Sequence, residues 1–474
     1  MADRFLNNVR MNADIIKADT FKNIVSDNAS STHPENVNVA NALGTMARWY
    51  DEITYMRYIM QGMMVARVVD FDNLKQSLLL GDFNRLNCFK NRKRCTVAAD
   101  GTINHWYGES GYKEDGTNGD VMVYQPKFYY KVEPIELEPI TGSFGYHIRK
   151  AIYYISDAPI GGFKLHPAFV NPSGNEVDHF FIGAYEGCIY DVSGSAYDLT
   201  DSVTADFTAT TGDEFASIAN AKPASGIRND LRADKLLILC KNRGTGWYSM
   251  GLKQYSMNQL MMLIEYGPDL QAGIGRGVVD VSDNSSYNCS SLTGSTSILG
   301  NNTGMATSTI NEIGGTQTTY TTDGKVSVSY RGMENPYGNI WELVQGGTVY
   351  GDGTDAIRGG QLYVSDDFNY AEGKHADNYK PIGFTLPTSG YIRAFGYGDE
   401  KYDWIMMGSD AGTADTSIIK DYHYTTTKLN GSRVLLLGGG WSNGGYAGAF
   451  FWHLDYGVGY RARHIGGRLC KYVS

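Results

Sequence analysis

The sequence is poor in cysteine, and its cysteines form no motif. Six are spread over 474 residues with no CxxC spacing and no nearby histidine, at positions 88, 95, 188, 240, 289 and 470. This spacing favours reduced, buried thiols, with a Cys88–Cys95 disulfide as the alternative.

The sequence also lacks long apolar runs and an excess of positive charge. Its first ten residues, MADRFLNNVR, contain no apolar signal region, and no apolar run is long enough to span a bilayer. We therefore expect neither a secretory signal nor membrane insertion. Lysine and arginine number 41 against 51 acidic residues, a net charge of −10, which argues against a nucleic-acid-binding surface.

Glycine and tyrosine, by contrast, are abundant. The chain has 57 Gly and 34 Tyr, and only 19% of its residues are charged. That composition is typical of β-rich, loop-rich extracellular or virion-type proteins rather than of helical enzymes.

The pattern along the chain predicts an α+β protein in three parts. Residues 1–75 are predicted to be an N-terminal helical attachment or oligomerisation segment, and residues 76–145 a small β-rich domain. Residues 146–474 are predicted to form one large C-terminal domain.

The N-terminal helix is predicted from its apolar spacing, which continues from about residue 35 to about Val69. Apolar residues recur there at alternating three- and four-residue steps, interrupted only by Arg57, at Leu43, Met46, Tyr50, Ile53, Met60 and Met64. This spacing favours either a helix packed on its own domain or a homo-oligomeric bundle that fastens the protein to a larger assembly.

Several later elements are also predicted. Residues 121–132 indicate an edge strand, or a pair of strands, interrupted by a proline, with a second break at residues 134–143. Ser256 and Gln259 indicate a capping box, and the helix that follows should stop at Gly267. Residues 433–439 are typical of a buried strand.

One segment, RGMENPYGNIWELVQGG at residues 331–347, has a more specific pattern. Alone it indicates a turn that enters a core strand. Combined with an Arg–Val strand ending in GGGW and a later GGR, it resembles the formylglycine-generating-enzyme-like branch of the C-type lectin fold. The resemblance covers about residues 146–474 and departs from the family at Leu343. The positions that it implies to be scaffold are Gly338, Asn339, Trp341, Glu342, Arg433, Gly438, Gly439, Trp441, Gly466 and Arg468.

The enzymatic branch of that family binds copper through a pair of cysteines late in the domain. Here no cysteine lies between Ser290 and Leu469, and Cys470 stands alone. His453 and His464 are eleven residues apart, with only Asp455 near them. We therefore expect no enzymatic activity and no cofactor. An acidic loop leaves calcium as an alternative, although acidic turns are usually solvated, at Asp352, Asp355, Asp366 and Asp367.

The terminal segment, residues 439–470, resembles a second branch, the variable proteins of diversity-generating retroelements. In that family, codons that begin as AAY are changed at their adenines and never encode Lys, Glu, Gln, Met or Trp. The first four are absent from Ser442 to His464, and the rule implies that Trp441 and Trp452 are scaffold. The implied ligand-binding positions are Ser442, Asn443, Tyr446, Phe451, His453, Asp455, Tyr456, Tyr460, Ala462 and His464.

These residue types suit recognition. Exposed tyrosines stack on sugars or fill apolar pockets while their hydroxyls find partners. In a strand, Arg461 and Arg463 would lie on the face opposite Tyr460 and His464. Histidines that contact an anion would make binding pH-sensitive. The plainer alternative is that this segment is only the last core strand of a β domain.

The resemblance implies a phage tail-fibre or receptor-binding protein, located in the virion and assembled in the host cytoplasm. Its partners would be a host-surface receptor, either protein or glycan, and other virion tail proteins. A homotrimer is expected by analogy. The alternatives are a bacterial cell-surface or secreted variable lectin-like protein and a formylglycine-type oxidase.

Overall fold

A computed structural model describes residues 62–228, 230–283, 286–311, 316–365 and 379–473. All described residues belong to one compact unit, Gly62–Ser474. The predicted helical seam from Leu43 to Met60 therefore lies outside the described residues.

Strands dominate the described chain. In chain order they are β1 (Met64–Asp70), β2 (Lys75–Leu80), β3 (Lys93–Val97), β4 (Ile103–Trp106), β5 (Asp120–Pro126), β6 (Tyr129–Pro139), β7 (Tyr146–Ser156), β8 (Lys164–Leu165), β9 (His179–Gly183), β10 (Cys188–Asp191), β11 (Ala196–Tyr197), β12 (Glu214–Ala216), β13 (Trp247–Ser249), β14 (Gly304–Ala306), β15 (Ser308–Asn311), β16 (Gln317–Tyr320), β17 (Ser327–Tyr330), β18 (Met333–Glu334), β19 (Trp341–Asp352), β20 (Gln361–Val364), β21 (Lys380–Thr385), β22 (Gly390–Tyr397), β23 (Gly408–Gly412), β24 (Tyr422–Tyr424), β25 (Asn430–Gly438), β26 (Gly448–His453), β27 (Ile465–Gly466) and β28 (Leu469–Lys471).

The α-helices in the described ranges are few. They are α1 (Asn87–Lys90), α2 (Ala233–Asn242), α3 (Leu252–Tyr266) and α4 (Leu270–Ile274). None of the helices in the described ranges is long and apolar enough to cross a membrane.

The fold class differs from the α+β prediction. The described residues are mostly β, with 38% of them in strands and 13% in helices. The predicted helix was expected to reach Val69, but Met64–Asp70 forms β1. This stretch is rich in valine, whose β-branched side chain favours strands, and it pairs with β2 and β7 on its two sides. Pairing with neighbours distant in sequence has overridden the local helical spacing.

Two large sheets contain most of the strands. The larger has 14 strands in the order β2-β1-β7-β22-β24-β26-β25-β19-β20-β21, with β6, β8, β23 and β27 beside this path. The other has six, in the order β13-β28-β9-β5-β3-β4. Smaller sheets join β10 to β12, β14 with β17 and β18, and β15 with β16.

Residues 76–145, predicted to be a separate small domain, contribute strands to both large sheets. β6 pairs with β7 along its whole length, and β5 pairs with β9. The compact unit runs from Gly62 to Ser474 without a division near residue 145.

Helix α3 packs against strands of the larger sheet in the hydrophobic core. Twelve of its residues are buried, including Met257, Leu260 and Ile264. Arg67 of β1 donates from its guanidinium to the carbonyl oxygens of Ile264 and Glu265, at 2.8 and 3.0 Å. These bonds satisfy carbonyl groups that the last turn of a helix leaves without partners.

The terminal segment connects the two large sheets. β26 lies within the larger one, antiparallel to β25 and parallel to β24. After a loop, β27 pairs in parallel with the start of β19, and β28 lies between β13 and β9 of the six-stranded sheet. The segment is therefore fixed to the fold at both of its ends.

Candidate ligand-binding surface

The Gly338–Asn339 turn fixes several distant segments. Both residues have positive φ, 76° and 57°, and a Cβ on Gly338 would lie 3.0 Å from the carbonyl oxygen of Val278. The Asn339 carbonyl accepts from the Trp441 amide at 3.0 Å. Its side-chain oxygen accepts from the Ser291 amide at 2.7 Å, and its side-chain nitrogen donates to Glu186. The turn therefore holds the start of the terminal segment in place.

A buried ion pair holds the other end. Arg468 lies 2.6 Å from the carboxylate of Glu342 and also donates to the carbonyl oxygens of Gly183, Glu334 and Asn335. Burial alone would lower the pKa of Arg468. The charges of Glu342 and other acidic neighbours raise this pKa by more than burial lowers it, so the net shift is upward. The guanidinium is therefore charged, and each of its three nitrogens donates a hydrogen bond within the core.

Glu186 is a member of this network whose position the sequence did not reveal. It is fully buried and accepts from the side-chain amides of Asn335 and Asn339. Burial raises its pKa well above the usual range for a glutamate. The residues implied to be scaffold are thus buried around these contacts, except for Arg433, which is half-buried.

Helix α4 fixes the first turn of the terminal segment. The side-chain nitrogen of Gln271 donates to the carbonyl oxygens of Gly444 and Ala447, at 3.1 and 2.7 Å. Asn443 accepts from the Gly440 amide at 2.7 Å through its side chain. Asn443 therefore serves the turn as well as lying in a predicted contact position.

Residues 460–464 do not form the strand in which Arg461 and Arg463 would face away from Tyr460 and His464. Residues 454–464 form a loop with a turn in which the Tyr460 amide donates to the Gly457 carbonyl. The Gly226 amide anchors this loop by donating to the Ala462 carbonyl at 3.0 Å. Arg461 and Arg463 are not placed by strand alternation; they pair with Asp230 and Asp283, at 2.6 and 2.7 Å.

Four stacked rings line one side of this loop, and we call them the aromatic column: Tyr424, His453, Tyr456 and Tyr460. Their successive centroids are 4.4, 4.5 and 3.5 Å apart, and the last two pairs are within 3° of parallel. Each ring covers a face of the next ring. Tyr424 is exposed and the other three residues are half-buried, so part of the column is open to solvent.

A second group, the tyrosine cluster, comprises Tyr391, Tyr422 and Tyr446. Its centroids are 4.7 to 5.7 Å apart. Tyr446 is 47% exposed and belongs to the terminal segment, whereas its two partners come from β22 and β24.

The predicted contact residues differ in exposure. Ser442 and Tyr446 are exposed, and Phe451 is buried at 3%, so its predicted place on the surface is wrong. Phe451 packs against Trp341 with centroids 4.6 Å apart, because it points from β26 into the core between the sheets. The remaining predicted contacts are half-buried: Asn443, His453, Asp455, Tyr456, Tyr460, Ala462 and His464.

The two histidines do not provide the expected pH sensitivity near neutrality. Burial lowers the pKa of His453 to about 4, with a further contribution from His464. Burial and then the charge of Arg463 lower the pKa of His464 to about 4. Both rings are therefore neutral at physiological pH.

The acidic loop makes ordinary turn contacts where it is described. Asp352 accepts from the amide and hydroxyl of Thr354, and Asp355 pairs with Arg358 and Lys428. Asp366 and Asp367 lie outside the described residues. Within the described ranges, no three His, Cys, Asp or Glu residues come together as a metal-ligand group.

The cysteines are free and buried, as the sequence predicted, and Cys88 and Cys95 form no disulfide. Cys470 is near enough to Cys240 for the charge of one to affect the other. Burial raises the pKa of both thiols, which is the opposite of what a thiolate metal site requires.

Sequence reasoning missed the residues that complete the surface. Tyr391, Tyr422 and Tyr424 support the aromatic groups, and Asp230 and Asp283 pair with the loop arginines. The Tyr–His–Tyr stretch of β24 was the available signal, since its alternation places both tyrosines on one face.

Neither the protein-family models nor the curated proteins compared with this chain gave a match.

Proposed function

We propose that the chain is a receptor-binding protein of a bacteriophage particle and that its terminal segment binds a molecule on the host surface. In this proposal it is a variable protein of the kind made by diversity-generating retroelements. It acts by binding rather than by catalysis, and its N-terminal residues join it to other tail proteins as a homotrimer.

One observation carries the proposal: the two tryptophans that the AAY codon rule excludes are buried, whereas the implied variable positions other than Phe451 are half-buried or exposed. Trp441 and Trp452, which the rule forbids, are exposed by only 1% and 0%, whereas Tyr446 is 47% exposed. Substitutions at exposed positions usually change stability by no more than about 0.5 kcal/mol, but a buried tryptophan replaced by alanine costs about 3–5 kcal/mol. Residues at the surface positions are therefore replaceable while the scaffold is kept.

The pairing of the loop arginines supports the same interpretation. Arg461 and Arg463 are held by Asp230 and Asp283, which lie outside the terminal segment. These fixed partners and the Gly226–Ala462 hydrogen bond preserve the path of the loop when neighbouring side chains change. A preformed loop binds a ligand with less loss of conformational entropy.

Binding to bacterial cells tests the proposal. Fluorescently labelled protein is incubated with a panel of bacterial strains, and bound protein is measured by flow cytometry. Replacing Tyr446 and Tyr460 with serine should reduce binding to a recognised strain at least tenfold, because aromatic contacts dominate such surfaces.

Tyr146→Ser is the matched control, since Tyr146 is 41% exposed but pairs with Tyr397, at the end of β22 opposite Tyr391. It should leave binding unchanged. Loss of binding in the Tyr146 variant, with full binding by the Tyr446 and Tyr460 variant, would reject the terminal segment as the recognition surface.

A further inference from the structure

An open groove begins at the terminal segment and continues away from it. Its first part is a depression of about 670 Å³ lined by residues that include Arg276, Asp323, Tyr391 and Gly445. A second part, of about 380 Å³, continues to Leu74, just before β2, and to Gln76 within β2. The two parts share Asp269, Ala272, Gly273 and Lys420, so we treat them as one feature, the α4 groove.

The walls of the α4 groove are preformed. The Tyr337 hydroxyl lies 3.1 and 2.8 Å from the carbonyl oxygens of Leu270 and Gly275, at the two ends of α4. Asp269 caps the helix by accepting from the Ala272 amide at 3.1 Å. Gln271 ties α4 to the terminal segment through two further bonds. Such a rigid wall suits ligand binding, because no ordering of the protein is needed.

Polar groups face the groove from both sides. One oxygen of Asp323 accepts from the Arg276 and Gly324 amides, at 2.8 and 2.9 Å, and its other oxygen accepts no hydrogen bond within the described part of the chain. One oxygen of Asp269 accepts from the Ala272 amide, and its other oxygen likewise accepts no hydrogen bond within the described residues. Lys420 donates to two carbonyl oxygens, which leaves one of its three N–H groups for a ligand. The charge of Arg276 is paired with that of Asp280.

An aromatic rim completes the groove at the terminal segment. Tyr391 lines the depression and packs against Tyr446, with centroids 5.7 Å apart. Tyrosine rings beside carboxylate acceptors and an ammonium donor match a sugar, which has an apolar ring face and a rim of hydroxyl groups.

We propose that the α4 groove binds an uncharged oligosaccharide, with Asp269 and Asp323 accepting from hydroxyls, Lys420 donating to one, and Tyr391 packing on a sugar ring. This inference rests on the proposed function and names the ligand class of the same surface. The groove selects the class of ligand, and the terminal residues at its rim select among its members.

A peptide fits the depression less well. Extended peptides bind mainly by adding to a free strand edge. Around Tyr391 the walls are α4 and loops, and β22 is already paired with β23 and β24 on its two sides. The volume of the depression lies within the range of about 300–1,000 Å³ that is usual for small-ligand sites.

A printed array of microbial oligosaccharides, probed with the labelled full-length protein, tests this assignment. Wild-type protein should bind a set of uncharged saccharides. Asp323→Asn keeps the oxygen that the Arg276 amide needs but removes the charge, and it should weaken binding about tenfold or more. Tyr391→Ala should do the same. Asp191→Asn is the matched control, because Asp191 accepts from the Gly194 amide in an exposed turn elsewhere and should bind as wild type does.

Thermal unfolding of each variant separates loss of binding from loss of fold. If the wild-type protein binds no saccharide on the array, or if folded Asp323 and Tyr391 variants bind as wild type does, the groove assignment is overturned. Binding to bacterial cells that is lost after protease treatment and kept after periodate oxidation would also overturn it. In those cases the cell-binding test of Tyr446 and Tyr460 still decides the proposed function independently.

Discussion

Arg468 of the terminal segment and Glu342 of β19 form a buried ion pair, and each also bonds to other groups. Arg468 satisfies three backbone carbonyl oxygens, and Glu342 accepts from the Tyr255 hydroxyl as well. The resemblance to a known family marked both as scaffold, but their pairing across 126 residues depends on the fold. The resemblance therefore indicated these residues but not the contact between them.

Replacing Arg468 with methionine should lower the free energy of unfolding by about 3–5 kcal/mol, because Glu342 would remain buried without its countercharge. Denaturant unfolding measures this loss. Arg461→Met is the control: its pair with Asp230 is at the surface, and its loss should cost less than about 1 kcal/mol. Equal losses in the two variants would contradict the role given to Arg468.

His453 should make stability depend on pH in acid. Its pKa is about 4 in the folded protein, whereas an unfolded histidine titrates near about 6.5. Between these values the unfolded chain binds the additional proton, so stability falls as the pH is lowered from about 6.5 to about 4 and is not affected by this group above about 6.5.

His453→Phe keeps the ring between Tyr424 and Tyr456 but removes the titrating group. The slope of unfolding free energy against pH should then decrease by up to about 1.4 kcal/mol per pH unit between pH 4 and 6.5. Phe451→Leu, a neighbour without a titrating group, should leave the slope unchanged. A wild-type slope in His453→Phe would mean that the histidine is not buried as described.

Among the elements, those fixed by local signals were predicted and those fixed by pairing were not. β5 and β6 are separated near Pro126, as predicted, because proline lacks the amide that a continuous strand needs. The second predicted break, at residues 134–143, begins later than predicted: Pro134 lies inside β6, where the register shifts beside it, and the strand ends at Pro139. Helix α3 stops at Gly267 as predicted, but it begins at Leu252 rather than near Ser256.

The end of α3 offers a test at this scale. Gly267 has a φ of 91° and a ψ of −173°, a combination that side chains with a Cβ rarely adopt. Gly267→Ala should therefore destabilise the protein by about 1–3 kcal/mol, as measured by denaturant unfolding. Gly445→Ala should have almost no effect, because a Cβ there meets only open space. A neutral Gly267 variant would contradict the backbone conformation assigned to this helix end.

At the scale of the whole molecule, the composition correctly predicted a high strand content, but the predicted α+β fold class was wrong. The abundant glycine and tyrosine favoured a sheet. The α+β prediction came from the three- and four-residue apolar spacing, because the predicted helix was extended to about Val69, into the stretch that forms β1. The aromatic surface shows the same limit. Tyr446, Tyr456 and Tyr460 were identified in sequence, but the rings that support them come from β22 and β24, whose neighbours only the sheet order determines.

Because the terminal segment joins both sheets, its loss should affect the whole unit. A chain that ends at His464 lacks Arg468 and the buried side chains of Ile465, Leu469 and Tyr472. Each buried apolar side chain contributes about 1.5–3 kcal/mol, against a total stability of about 5–15 kcal/mol for a typical domain. We expect no cooperative thermal transition by near-ultraviolet circular dichroism. A cooperative transition close to the wild-type temperature would contradict the joining role.

The central claim is that the terminal segment is a replaceable binding surface on a fixed scaffold, and the DNA beside the gene tests it most directly. We predict a reverse-transcriptase gene and a near-copy of the terminal coding segment, with AAY codons at surface positions such as Tyr446, Tyr456 and Tyr460 and unchanged codons at Trp441 and Trp452. Absence of such a repeat, or AAY codons at the buried scaffold positions, would contradict the account.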